Sequence, residues 1–171
     1  MNRYLAIAAV AALSAALAIT CVAIDRAGAQ ETSRASPIYG VTLPDGYRGW
    51  ELIAPALEGD PLNELRAVVG NAVALDAYKK GTLPFPDGSV LVKLAWKRTE
   101  SAEFESASVP GTATTVQVMV KDSKRYASSG GWGFGRFIDG KPADLAQHET
   151  CFACHEARVQ NHDYVFTRYA P

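Results

Sequence analysis

The feature that most restricts this chain is Cys151-Phe152-Ala153-Cys154-His155, which lies near the end of a sequence of 171 residues. C-x-x-C-H is the attachment motif of c-type haem. Two thiols add to the two vinyl groups of one macrocycle, and two intervening residues let both reach it. The adjacent imidazole then sits beneath the iron as its proximal ligand. Other uses of a Cys-x-x-Cys pair fit less well. A structural zinc site needs four ligands, and only His148 and His162 stand ready to complete one. A thioredoxin-like pair belongs beside a βαβ pattern, which is missing around Cys151. A short-loop disulfide is the plain alternative.

The N-terminus supplies the setting. Arg3 gives a positive start, and an alanine-rich apolar stretch runs from Leu5 to Ile24. Ala27 and Ala29 then fit the small-residue rule for signal peptidase, with cleavage after Ala29. Residues 1–29 are therefore expected to be a signal peptide that sends the chain from a bacterial cytoplasm to the periplasm, taking Cys21 with it. The stretch is also long enough for an uncleaved membrane anchor. Composition adds one exclusion. The formal net charge is -1, so there is no basic footprint for nucleic acid. Apolar residues at 48% and charged residues at 20% are ordinary globular values, so a packed core is expected.

Residues 30–45 read as a flexible lead-in to a single domain over 46–171. Residues 60–80 read as a helix, with Asp60 as N-cap, Pro61 at the first position, Lys79 and Lys80 in the last turn and Gly81 as the stop. Leu62, Leu65, Val69, Ala72 and Val73 supply its apolar face. After the turn Pro84-Phe85-Pro86-Asp87-Gly88, residues 89–97 read as an apolar strand, 98–112 as a loop and 114–121 as an alternating, half-buried strand. Gly130 to Phe137 reads as a glycine-aromatic strand, where glycines permit close approach of a ligand or another backbone. The expected class is mainly β (α+β): an antiparallel β-sheet domain with one longer helix and a short C-terminal haem-attachment helix.

This organisation departs from two common cytochrome types. Small electron-transfer cytochromes c carry the motif near the N-terminus with a methionine ligand downstream, and no methionine follows His155. Four-helix cytochromes c′ need four long helical patterns. From about Gly46 to Pro171 the chain instead resembles the cytochrome P-460 family, which includes cytochrome c′-beta. The matching pieces are Tyr47-Arg48-Gly49-Trp50, Pro84-Phe85-Pro86-Asp87-Gly88 with its following strand, Gly131-Trp132-Gly133-Phe134, and Cys151 to His155 followed by Tyr164-Val165-Phe166-Thr167.

The resemblance implies a mainly antiparallel β fold, often dimeric, with one haem c, a histidine on one side of the iron and an open distal pocket. It implies two chemistries. P-460 members oxidise hydroxylamine and carry a lysine linked to the haem. The c′-beta members bind nitric oxide or carbon monoxide in an apolar pocket capped by phenylalanine. Lys93 is the candidate for such a link, because it interrupts an apolar strand where an unpaired ammonium is costly to bury. Its plain alternative is a side chain that points to solvent or snorkels. Lys79 and Lys80 are weaker candidates at a helix end. Arg136 is a candidate distal polar group, in a segment that holds no acid. Phe134 and Phe137 are candidates to line the pocket, with Trp50 or Trp96, or are ordinary core. His148 and His162 are expected to be solvated or bound to loop groups, and Met119 to be a poor ligand unless its strand face meets the haem. The expected function is an exported mono-haem cytochrome whose open site takes small nitrogen oxides and which exchanges electrons with a partner cytochrome. The alternative is a periplasmic electron-transfer cytochrome c.

Overall fold

The structure is a computed structural model that describes residues 34–170. The expected signal peptide and Cys21 lie outside the described residues. Six strands form one antiparallel sheet in chain order: β1 (Glu51–Glu58), β2 (Glu64–Gly70), β3 (Val90–Glu100), β4 (Ser108–Lys121), β5 (Trp132–Ile138) and β6 (Lys141–Pro142). Helix α1 (Ala72–Lys80) connects β2 to β3, and α2 (Leu145–Val159) follows β6 and carries the Cys-x-x-Cys-His motif. The mainly β class holds. The helix lengths are reversed, with α2 at 15 residues and α1 at 9. No helix among the described residues is long and apolar enough to cross a membrane.

The reversal follows from the segment 60–80, whose first half is strand β2 rather than helix. Leu65 and Val69 suit a helical face, but they suit alternation equally, and the neighbouring strands decide. Glu64 to Gly70 pairs with β1 on one side and with β3 on the other, so its backbone groups are satisfied in two ladders. The helix begins at Asn71, whose Oδ1 accepts from the Ala74 N–H at 3.0 Å and also from the Val90 N–H at 3.0 Å. Gly81 ends it at φ 64°, a left-handed stop that suits glycine. Strands β3 and β4 also run well into 98–112, leaving a connection only at 101–107. Polar residues persist there because that end of the hairpin is exposed.

Period-two alternation gives the sheet two faces. On one face Val69, Val92, Leu94, Val118 and Phe137 are buried together with Val41 and Tyr126. Residues 39–50 close over it, with Tyr39, Leu43, Tyr47 and Trp50 packed against that cluster. Part of the expected flexible lead-in is thus fixed: Ser36 and Val41 are buried, and the Ser36 hydroxyl donates to the Phe134 carbonyl at 2.9 Å. The opposite face carries Val68, Leu91, Trp132 and Phe134, packed with Ala74 and Ala77 of α1 and with Cys151 and Phe152 of α2. Burial of each large apolar side chain contributes about 1.5–3 kcal/mol, so each face has its own core.

The glycines of β5 serve the first of these faces. A Cβ at Gly133 would collide with the Tyr126 ring, and one at Gly135 would press on the Phe137 ring. The close approach they permit is therefore to the protein's own aromatic rings, not to a ligand.

Candidate functional site

Helix α2 starts at Asp144, whose carboxylate accepts from the Gln147 N–H at 2.9 Å. At helical spacing, His148, Cys151, Phe152 and His155 recur at i, i+3, i+4 and i+7 and so share one face. His148 is fully buried. Its Nε2 accepts from the Arg136 N–H at 3.0 Å, so Nδ1 holds the proton and donates to the Asp144 carbonyl at 2.8 Å. The expectation of a solvated His148 is thereby corrected, while the loop hydrogen bond holds for Nδ1 at Asp144. It is a buried tie between α2 and β5, with both ring nitrogens in use.

Cys151 and Cys154 are free thiols one helical turn apart, the first half-buried and the second exposed. Burial pushes the Cys151 thiol above its ordinary pKa, against the opposing pull of Arg136. His155 follows, half-buried, with its ring 4.9 Å from Phe134 and 4.9 Å from Phe166. Its Nδ1 lies 2.6 Å from the Tyr164 carbonyl. A carbonyl only accepts, so Nδ1 carries the proton and Nε2 keeps its lone pair. Among the described residues no hydrogen bond engages Nε2. Burial lowers the His155 pKa, which favours the neutral imidazole that binds metal.

Across from α2, the sheet presents two rows of side chains. Register places Leu91, Met119 and Phe134 in an apolar row, and Lys93, Gln117 and Arg136 in a polar one. Lys93 therefore lies on the α2 side of the sheet, half-buried. Burial, then Arg66 and Arg136, push its pKa down to about 8. Cys151 is close enough to act on it electrostatically. Arg136 donates through Nη1 to the Gln147 side chain at 3.2 Å, while its buried Nε has no partner.

Three expected lining residues lie on the face opposite α2. Phe137 lies in the core of the opposite face, because it is three residues from Phe134 and strands alternate. Trp50 and Trp96 pack against that same core. Lys79 and Lys80 are exposed and pair with Glu51 and Asp76. His162 Nδ1 is tied to the Val165 carbonyl at 2.9 Å, a carbonyl that Arg168 also reaches at 2.9 Å.

One residue was missed in the sequence. Glu64, buried on β2, shares the sheet face of Lys93. Its carboxylate accepts from Arg66 at 2.7 Å and from the Thr114 hydroxyl at 2.8 Å, and Arg66 also pairs with Glu58. Its position inside an expected helix concealed it. Strand periodicity over 64–70 was the signal that would have revealed it.

Two thiols one turn apart, a neutral imidazole with a free Nε2 and an aromatic wall form a donor set that fits haem. The family model for cytochrome P460 matches residues 44–167, which is most of the chain. The chain belongs to the cytochrome P460 family. Membership makes it a haem cytochrome of the c type. No curated protein matches the chain.

Proposed function

We propose that this cytochrome P460 member is a periplasmic mono-haem protein in which Cys151 and Cys154 bind the haem covalently, His155 ligates its iron, and the open side takes small nitrogen oxides. The observation that supports this most is His155, with Nδ1 committed to the Tyr164 carbonyl and Nε2 free beside two free thiols. Haem bound there would supply an iron coordination position for nitric oxide, carbon monoxide or hydroxylamine.

The chain's own groups divide the remaining work. Phe134 and Phe166 flank the imidazole on two sides. Lys93, its pKa pushed down to about 8 by burial, Arg66 and Arg136, lies on the α2 side of the sheet and is the lysine placed for a haem link. Oxidising hydroxylamine releases protons, so a base on the site's face helps. Segment 130–137 holds no acid, but Glu64 supplies a buried carboxylate on the same sheet face, with Arg66 paired to it. Residues 1–29 act as the export signal, a redox partner cytochrome exchanges electrons with the haem, and the assembly is a homodimer.

Electron transfer is a second reading, favoured by one observation. Met119 lies in the apolar row that meets α2, so its thioether is on the haem-helix side of the sheet.

The absorption spectrum of the dithionite-reduced holoprotein, taken with and without nitric oxide, separates the readings. The gas-binding reading expects a five-coordinate ferrous spectrum that shifts on adding nitric oxide. A strongly red-shifted Soret band that returns to normal in Lys93→Met assigns the link to that lysine. A sharp low-spin spectrum indifferent to nitric oxide sinks the open-site reading and leaves the electron carrier. Covalent attachment is checked by mass, where haem retained after denaturation must be lost in a Cys151→Ala, Cys154→Ala variant.

A further inference from the structure

Behind His155 lies an ion pair that none of the chemistry above uses. Lys121 ends β4 on the haem-helix side, and Asp163 follows α2. Their side chains are only 5% and 8% exposed. Lys121 Nζ donates to both Asp163 oxygens, at 2.7 and 2.9 Å, and to the Gly130 carbonyl at 3.2 Å. It also sits 5.0 Å from the centre of the Trp132 ring. Asp163 Oδ2 accepts in addition from the Phe85 N–H at 2.8 Å. One carboxylate thus ties together β4, the 84–88 turn and the segment after α2.

The residue that follows Asp163 holds the histidine. Asp163 and Tyr164 both have left-handed backbones, φ 48° and 62°, which non-glycine residues keep only where their surroundings impose it. The left-handed pair turns the chain so that the Tyr164 carbonyl meets His155 Nδ1 while the Tyr164 N–H bonds back to the Val159 carbonyl at 2.9 Å. Gly130 completes the fit, because a Cβ there would run into the Tyr164 ring. Lys121 binds the carbonyl of that same glycine.

We propose that the buried Lys121–Asp163 pair is the positioning device for the proximal histidine, holding the 163–164 turn so that the Tyr164 carbonyl fixes the orientation of His155 and the donor strength of its Nε2. A buried ion pair is a poor source of stability compared with apolar residues of similar volume, so its presence here is better explained by position. The group that accepts the outer N–H of a ligating histidine sets ring orientation and ligand basicity. Lys121 and Asp163 touch neither iron nor ligand. They act through Tyr164. The inference rests on His155 being the haem ligand.

The test uses ferrous holoprotein and two readouts, the iron–histidine stretching band in resonance Raman and the reduction potential. Asp163→Asn keeps an acceptor for the Phe85 N–H and tolerates the left-handed backbone, but loses the charge that holds Lys121. Lys121→Met removes the cation. Both variants are expected to lower the stretching frequency and raise the potential, because a weaker bond at Nδ1 makes a weaker axial donor. The double variant Lys121→Met/Asp163→Asn leaves no unpaired buried charge. It is expected to regain folding stability over the single variants while keeping the shifted band, which a merely structural role does not predict. If a single variant yields no folded holoprotein, the double variant carries the test. Bands and potentials unmoved from wild type overturn the positioning role and leave His155 as ligand. A wild-type protein whose mass shows no haem attached through Cys151 and Cys154 overturns the haem reading itself, and this inference with it.

Discussion

Lys93→Met isolates the cost of placing an ammonium in the α2-facing row of the sheet. The side chain faces Arg66 and Arg136, and burial and these two cations hold its pKa near 8 against an ordinary 10.5. That difference corresponds to about 3 kcal/mol of unfavourable interaction for the charged form. Below pH 8 the folded protein carries the buried ammonium, and the unfolded chain keeps the same charge in water. Between about pH 8 and 10.5 the folded state releases a proton that the unfolded state retains, so wild-type stability rises with pH across this window. Methionine fills similar volume with no charge. The variant is therefore expected to be more stable than its parent by about 3 kcal/mol at pH 7, by about 1 kcal/mol near pH 9.5, and by nothing above 10.5. Urea unfolding measures this in chains made haem-free by Cys151→Ala and Cys154→Ala, so that no link at Lys93 can form. A gain that does not shrink as pH rises, or no gain at pH 7, would refute the placement of this lysine in a cationic, desolvated row.

Three further outcomes follow from the packing. Gly133→Ala forces a Cβ into the Tyr126 ring and is expected to cost about 1–3 kcal/mol, whereas Gly59→Ala, with open space around it, should cost nothing in the same thermal unfolding experiment. Asn71→Ala removes the acceptor that serves both Ala74 and Val90 and should lower stability by about 1–2 kcal/mol, read as a lower urea midpoint with an unchanged slope. His148→Leu leaves the Arg136 N–H without its partner and should cost about 1–3 kcal/mol. Hydrogen exchange should show that amide losing protection while β2 keeps its own.

The sequence exposed the attachment motif because its chemistry is local: three residue types at fixed spacing suffice. The antiparallel sheet was legible for a similar reason, since alternation and turn residues such as Asp139-Gly140 mark hairpins within a few positions. What could not be read was whatever depends on partners distant in the chain. Leu65 and Val69 fit either a helix or a strand, and only the ladders to β1 and β3 decide between them. Glu64 disappeared into the mistaken helix for that reason. Lys93 could face either way until α2 was known to cover its side. Phe134 and Phe137 look alike as aromatic neighbours, although strand alternation puts them on opposite faces. Lys121 and Asp163 are 42 residues apart, and nothing in either neighbourhood suggests that they meet.

The two sides of the site have different support. Lys93 belongs to β3, which is bonded to β2 and β4 along both edges, so its backbone cannot move without disturbing the centre of the sheet. The thiols and His155 belong to α2, which is held to the sheet by apolar contacts, by His148 and by the 163–164 turn. A fixed sheet row and a helix fastened by a few specific ties divide the requirements of a haem site. Under the proposed function, the sheet would set which groups face the haem, and the ties would set the orientation of His155. The same sheet can therefore tolerate changes at Lys93, Gln117 or Arg136 that alter the chemistry on offer, provided that the ties behind His155 stay intact.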